Sequence, residues 1–162
     1  MDKVSIFSVT SKIIRKINAI TGTPEGKSTL AKFRNSIGKD LEKSMELWPI
    51  LFENLPEEYF GNGKSITREE NAILLTLQLY ALYLQGNSVI LMNLEEEKKF
   101  KNIGFSLKIL RVDNSTSVDG RFNAMITSTT VEELANHLRH MIKILKSKYP
   151  NTYIDFPKLA ED

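Results

Sequence analysis

The sequence predicts an all-α fold of two small helical bundles packed together, and three observations carry that expectation. Nearly every segment of the 162-residue chain repeats its apolar positions at helical spacing. Two stretches, Thr67-Arg68-Glu69-Glu70 and Thr130-Val131-Glu132-Glu133, have the Thr-x-x-Glu pattern with which a helix start satisfies its own unpaired N–H groups. No segment alternates apolar and polar residues over the length of a strand. The expected division is an N-terminal bundle over residues 1–86, a connection over 87–104 and a C-terminal bundle over 105–162.

The elements follow in order. Residues 6–20 place Ile13, Ile14 and Ile17 on one face, with Lys12, Arg15 and Lys16 beside it. Thr23 can cap a second helix with Pro24 at its first position, where a missing N–H costs nothing. Leu30, Phe33 and Ile37 then follow at helical spacing until Gly38 ends the run. Asp40 can cap a third helix whose stripe is Leu41, Met45, Trp48, Phe52 and Leu55, kinked at Pro49. The capping box at Thr67 opens a helix to about Gln85, stopped by Gly86. It is apolar nearly all round and so should be the buried, central member of its bundle.

Residues 86–104 are the least regular and contain the run Glu95-Glu96-Glu97-Lys98-Lys99, which reads as a connection. A short helix from about Phe105 to Val112, a polar loop Asn-Ser-Thr-Ser and another short helix from about Val118 to Ile126 come next. The box at Thr130 opens a strongly amphipathic helix with Leu134, Leu138, Met141, Ile142 and Leu145 on its core side.

Composition narrows the function classes. The chain has no cysteine, so neither disulfides nor thiolate metal sites are available to it. The opening residues MDKVSIFSVTSKIIRK flank a short apolar run with charges and lack a small-residue cleavage site, unlike a secretory signal. The apolar stretch Ala72 to Leu84 is too short to span a bilayer. A cytoplasmic protein without membrane partners is expected. Net charge is only +2, but residues 1–50 carry nine Lys and Arg against five Asp and Glu. Residues 51–100 carry four against eight, and residues 101–150 eight against four. Two basic ends around an acidic middle could present a basic face to a polyanion. From composition alone, charges scattered over solvated helix surfaces are the better reading.

The stretch ITGTPEGKST, Ile20 to Thr29, ends in the Gly-Lys-Ser of a phosphate-binding loop. That loop needs four residues between its glycines, whereas Gly22 and Gly26 enclose three and Thr21 stands where the first glycine belongs. It must also follow a strand, and here a basic amphipathic helix precedes it. Nucleotide binding is not expected. His137 and His140 lie three apart on one helix without an HExxH-type arrangement, so they read as surface histidines and no metal is expected. No serine or threonine sits in a nucleophile elbow. Neither an enzyme nor a cofactor is expected.

The basic residues offer more. Lys27, Arg34 and Lys39 lie off the Leu30, Phe33 and Ile37 stripe. Lys108 and Arg111 sit three apart, and Arg121 lies on the next short helix. Arg139, Lys143 and Lys146 line one flank of the last long helix. Such cationic lines can track a phosphate backbone without reading bases. Ordinary helix-pair electrostatics on a solvated face is the alternative.

The ordered series Gly104-Phe-Ser-Leu, Arg121-Phe-Asn-Ala-Met-Ile126, Glu133-Leu134, His137-Leu138-Arg139, Ile144-Leu145-Lys146 and the ending Ile154 to Asp162 closely resembles the CasB family. That family is the small subunit of the type I-E CRISPR surveillance complex, Cascade. Leu30-Ala-Lys-Phe-Arg34 and Trp48-Pro49 resemble it more loosely, so the likeness covers most of the chain. The resemblance implies two all-helical bundles with no catalytic site. It implies two copies per complex, paired head to tail, that contact the backbone subunits and help hold the guide RNA–target DNA duplex and the displaced strand. Guide pairing would supply the sequence recognition, and this subunit the backbone contacts that stabilise the opened DNA, the R-loop. Arg34, Arg121 and Arg139 match positions where the family's basic residues line the nucleic-acid groove. Lys27, Lys108, Arg111 and Lys143 join them from helix geometry alone. Asn35 stands where many relatives have a second basic residue, and relatives usually continue past Asp162 into one more helix. A purely structural adaptor bridging protein subunits is the competing expectation.

Overall fold

In the computed structural model, residues 4–39, 44–61, 65–87, 101–111 and 115–162 are described. They contain α1 (Ile6–Ala19), α2 (Pro24–Asn35), α3 (Trp48–Phe52), α4 (Arg68–Leu84), α5 (Ile103–Leu107), α6 (Thr116–Ile126), α7 (Val131–Lys148) and α8 (Phe156–Glu161). Single 3-10 turns occupy Met45–Leu47, Glu57–Tyr59 and Lys108–Leu110. The fold is all-α, with no strand among the described residues. No described helix is long and apolar enough to cross a membrane.

The chain divides into two compact units, residues 1–81 with 156–162, and residues 82–155. In the first, α1 starts where the Ser5 side chain accepts from the Ser8 N–H and buries Ile13, Ile14 and Ile17. The Thr23 side chain accepts from the Gly26 N–H and so caps α2 with Pro24 in its first turn. This resolves the Gly-Lys-Ser stretch in structural terms. Gly26 is buried in the first turn of α2, and a Cβ there would lie 1.9 Å from the Ile20 carbonyl oxygen. The glycine lets a helix start cross the end of α1, with no loop to cradle phosphates.

The third expected stripe does not form. Its presumed cap Asp40 and its first member Leu41 lie outside the described residues. Met45 and Phe52 are exposed, at 76% and 49%, while Leu47, Leu51 and Leu55 are buried. Pro49 has no N–H to continue a helix from Met45, so a 3-10 turn ends at Leu47 and α3 starts at Trp48 with its buried side rotated.

The capping box of α4 closes in both directions. The Glu70 N–H donates to Thr67 Oγ1 at 3.1 Å, and the Thr67 N–H donates to Glu70 Oε2 at 2.7 Å. The helix is buried on nearly every side, and Gly86 follows at φ +70°. The buried Gln78 amide donates to the carbonyl and the hydroxyl oxygens of Ser36, tying α4 to the end of α2.

The ending beyond Asp155 forms α8, which packs along α1 in the first unit. Phe156 and Ala160 are buried there, with the Phe156 ring edge-on to Tyr80 at 5.4 Å. α8 buries these residues against an apolar face formed by α1 and, through Tyr80, α4.

In the second unit α6 and α7 form a helical hairpin around Met125, Leu138, Met141, Ile142 and Leu145. Ser115 caps α6 from inside the expected polar loop, so that helix starts at Thr116 rather than Val118. Asn102 caps α5, whose Gly104 faces the Phe122 ring of α6, 3.8 Å from where a Cβ would stand. The run Glu95 to Lys99 lies outside the described residues, as does Asn114.

Candidate nucleic-acid interface

The seven cationic residues singled out from the sequence fall into distinct environments. Lys27 and Arg34 belong to α2 of the first unit. Lys27 is exposed and makes no ion pair among the described residues. Arg34 is half-buried because the Ser36–Gln78 bonds draw the end of α2 against α4; its guanidinium reaches the Ala81 carbonyl at 3.5 Å.

The other five belong to the second unit. Arg121 on α6 and Lys143 on α7 are exposed and free of ion pairs among the described residues. Arg111 is exposed but bonded to Asp119 at 3.0 Å, which leaves it a weaker partner for an outside anion. Lys108 holds its ammonium 4.0 Å from the centre of the Phe105 ring. Arg139 is half-buried, and its Nε is shut from water without an acceptor. Lys146, on the same flank of α7, is committed inward and donates to the Leu82 carbonyl at 2.8 Å. The expected line of three cations is thus one exposed lysine, one half-buried arginine and one structural lysine.

His137 is half-buried and His140 exposed. Among the described residues no group of three His, Asp or Glu could hold a metal ion. Glu133 lies below the usual carboxylate range because the Thr129 N–H donates to it, and the Thr130 side chain caps the helix start beside it.

One concave feature of the second unit was not read from the sequence. A cleft of about 510 Å³ opens between residues 105–109 and the segment 148–153 that leaves α7. Phe105, Tyr149 and Tyr153 contribute aromatic surface, Lys108 and Lys148 contribute charge, and none of the described lining residues is acidic. Its walls are held by side-chain bonds to main-chain carbonyls. Ser106 Oγ donates to the Tyr153 oxygen at 2.7 Å, Tyr83 Oη to those of Pro150 and Thr152, and Asn87 Nδ2 to that of Pro150. Burial pushes the Tyr83 hydroxyl up to about 12, so it keeps its proton, and hence its role as donor, across ordinary pH. The sequence signal was present in Lys146-Ser-Lys148-Tyr149 followed by Tyr153, basic residues interleaved with aromatics. The spacing there has no helical regularity, so only the fold shows that these residues meet Phe105.

No curated protein and no solved structure matches the chain. The family model described as CRISPR-associated protein Cse2 matches residues 29–162, from the middle of α2 to the last residue. Arg34, Arg121 and Arg139 lie within the match, as does the whole second unit, whereas Lys27 lies before it. The family so described is a structural Cascade subunit family and not a known enzyme family. With most of its length matched in one run, the chain belongs to the Cse2 family, the small subunit of the type I-E CRISPR Cascade complex.

Proposed function

We propose that this chain is a non-catalytic Cascade subunit that contacts nucleic-acid backbone through its basic helix faces and stabilises the R-loop between guide RNA and target DNA. The carrying observation is that Lys27, Arg121 and Lys143 stand exposed on helices without an ion pair among the described residues. An exposed cation without a carboxylate partner is free to exchange its counterions for phosphates, a contact that is indifferent to sequence. Arg34 and Arg139 join them as half-buried cations held by packing, and Lys108 and Arg111 are held locally by a ring and by Asp119. Two copies in each cytoplasmic complex, alongside the other protein subunits, complete the reading.

A second reading has its own observation. Met45 and Phe52 expose apolar surface on the first unit, where Phe52 stacks on Trp48 at 4.8 Å and meets Phe60 at 5.0 Å. An aromatic patch of this kind suits a protein neighbour and is what a pure adaptor needs. Reversing Lys27, Arg121 and Lys143 to Glu separates the two. Nucleic-acid contact requires that Cascade still assembles with the variant but no longer holds DNA open stably. The adaptor reading requires assembly and DNA opening both intact.

A further inference from the structure

Backbone tracking by cations needs only a convex basic surface, yet the second unit has a cleft. Its lining pairs three aromatic side chains, Phe105, Tyr149 and Tyr153, with two ammonium groups, Lys108 and Lys148, and no carboxylate lines it among the described residues. The Phe105 ring already draws the Lys108 ammonium to 4.0 Å and that of Lys101 to 5.6 Å from its centre. Cations are therefore gathered at an aromatic face, and no described lining residue is an anion that would neutralise them. The ligand complementary to such a site has a flat apolar body and a negative charge attached to it. The volume, about 510 Å³, falls in the ordinary range for small-ligand sites. The Ser106, Tyr83 and Asn87 bonds hold the walls in place, so little ordering is required on binding.

We propose that this cleft takes one unpaired base of a single-stranded nucleic acid, stacked on the aromatic lining, with the adjoining phosphates on Lys108 and Lys148. The inference rests on the nucleic-acid reading above and deepens it. The subunit then grips unpaired nucleotides by their rings as well as by their backbone, and discriminates single strands from duplex, whose bases are already stacked. An acidic peptide would engage the two lysines but leave the aromatic faces without a flat partner.

The full chain is titrated by fluorescence anisotropy with labelled oligomers of about 15 nucleotides, long enough for a single-strand site. Oligo-dT, oligo-U and an abasic oligomer of equal charge are compared at one salt concentration. A base-containing strand should bind about ten-fold more tightly than the abasic one, the magnitude expected for one stacked base. The dT and U arms show whether DNA, RNA or both supply the base. Phe105→Leu should erase the advantage, so that base-containing and abasic strands bind this variant alike, and Tyr149→Leu should do the same if the first variant folds poorly. Lys143→Ala should weaken both kinds of strand equally. Equal affinity of the wild-type chain for abasic and base-containing strands would overturn the cleft proposal and leave backbone contact standing. No binding to any strand would overturn both. An oligoglutamate peptide that displaces oligo-dT from the wild type but not from Phe105→Leu would assign the cleft to an acidic protein segment instead.

Discussion

The two longest helices, α4 and α7, both start at a Thr-x-x-Glu pattern, are of nearly equal length and are used in opposite ways. In α4 the buried residues Ile73, Leu74, Thr76, Leu77, Gln78, Leu79 and Tyr80 leave hardly any side free. In α7 the buried residues Leu138, Met141, Ile142 and Leu145 form one stripe, and the rest of the surface faces outward. A helix buried all round can serve only the core. One buried along a stripe has a flank on which Arg139 and Lys143 can be placed at little cost to folding. The comparison teaches that a candidate interface is to be sought on the helices whose hydrophobic stripe is narrow.

The largest expected effects test whether the two stripes are equally essential. Leu77→Ala in α4 and Ile142→Ala in α7 remove fully buried side chains, and each should cost about 2–5 kcal/mol in chemical denaturation. A loss below about 1 kcal/mol at Ile142 would mean that α7 is not a core helix and would break the comparison. Next comes the start of α2, where a tight backbone crossing and an exposed cation are adjacent in sequence. Gly26→Ala drives a methyl group into the Ile20 carbonyl and should cost roughly 1–3 kcal/mol. Lys27→Ala, one residue on, should stay within about 0.5 kcal/mol. Equal melting temperatures for the two variants would refute the crossing.

The two caps should differ as well. Thr67→Ala and Thr130→Ala should each cost about 0.5–2 kcal/mol. The larger loss is expected at Thr67, because its hydroxyl also donates to the Tyr59 carbonyl and its partner Glu70 is buried. At Thr130 the partner Glu133 is exposed and reaches past the cap to the Thr129 N–H. Thermal melts of the two variants give the order directly.

Smaller still is the effect on salt dependence. Lys143→Ala should leave stability within about 0.5 kcal/mol and lower the log–log salt slope of single-strand binding by about 0.7. Arg111→Ala should lower it less, since Asp119 already neutralises that arginine. The reverse order would transfer the interface from α7 to the turn after α5. The smallest effect is a pH dependence at the α7 cap. The Glu133 carboxyl is lowered by its bond from Thr129, so its contribution to folding is present above the ordinary carboxylate range. That contribution is lost as the pH falls through the lowered value. Glu133→Gln should flatten that part of an acid titration, and an unchanged profile would remove Glu133 from the cap.

The starts of α2, α4 and α7 were legible because a cap is a local device. Thr23, Thr67 and Thr130 each bond to an N–H three residues ahead, and no distant residue is needed. Four of the five expected α7 core residues were legible for a similar reason, since a narrow apolar stripe on one helix declares its own buried side; Leu134, near the helix start, is only half-buried. The turn around Pro49 was less so. Its apolar residues suit more than one helical phase, and the choice of Leu47 and Leu51 over Met45 and Phe52 was made by the missing N–H of Pro49 and by what they pack against.

The charges divide in the same manner. Sequence alone gave the number of cations, their helical spacing and the absence of a nucleotide loop, because each follows from residue type and local period. Only the tertiary structure decided which cations are free. Lys143 and Lys146 lie three apart on one flank, yet one faces solvent and the other donates to the Leu82 carbonyl. The cleft between Phe105 and Tyr149 is likewise a product of the fold. Its aromatic and cationic lining comes from segments some forty positions apart in the sequence, which the fold brings together and the Ser106 bond to the Tyr153 carbonyl helps hold. Local rules run over three or four residues, whereas burial and concavity depend on which distant surfaces are pressed together.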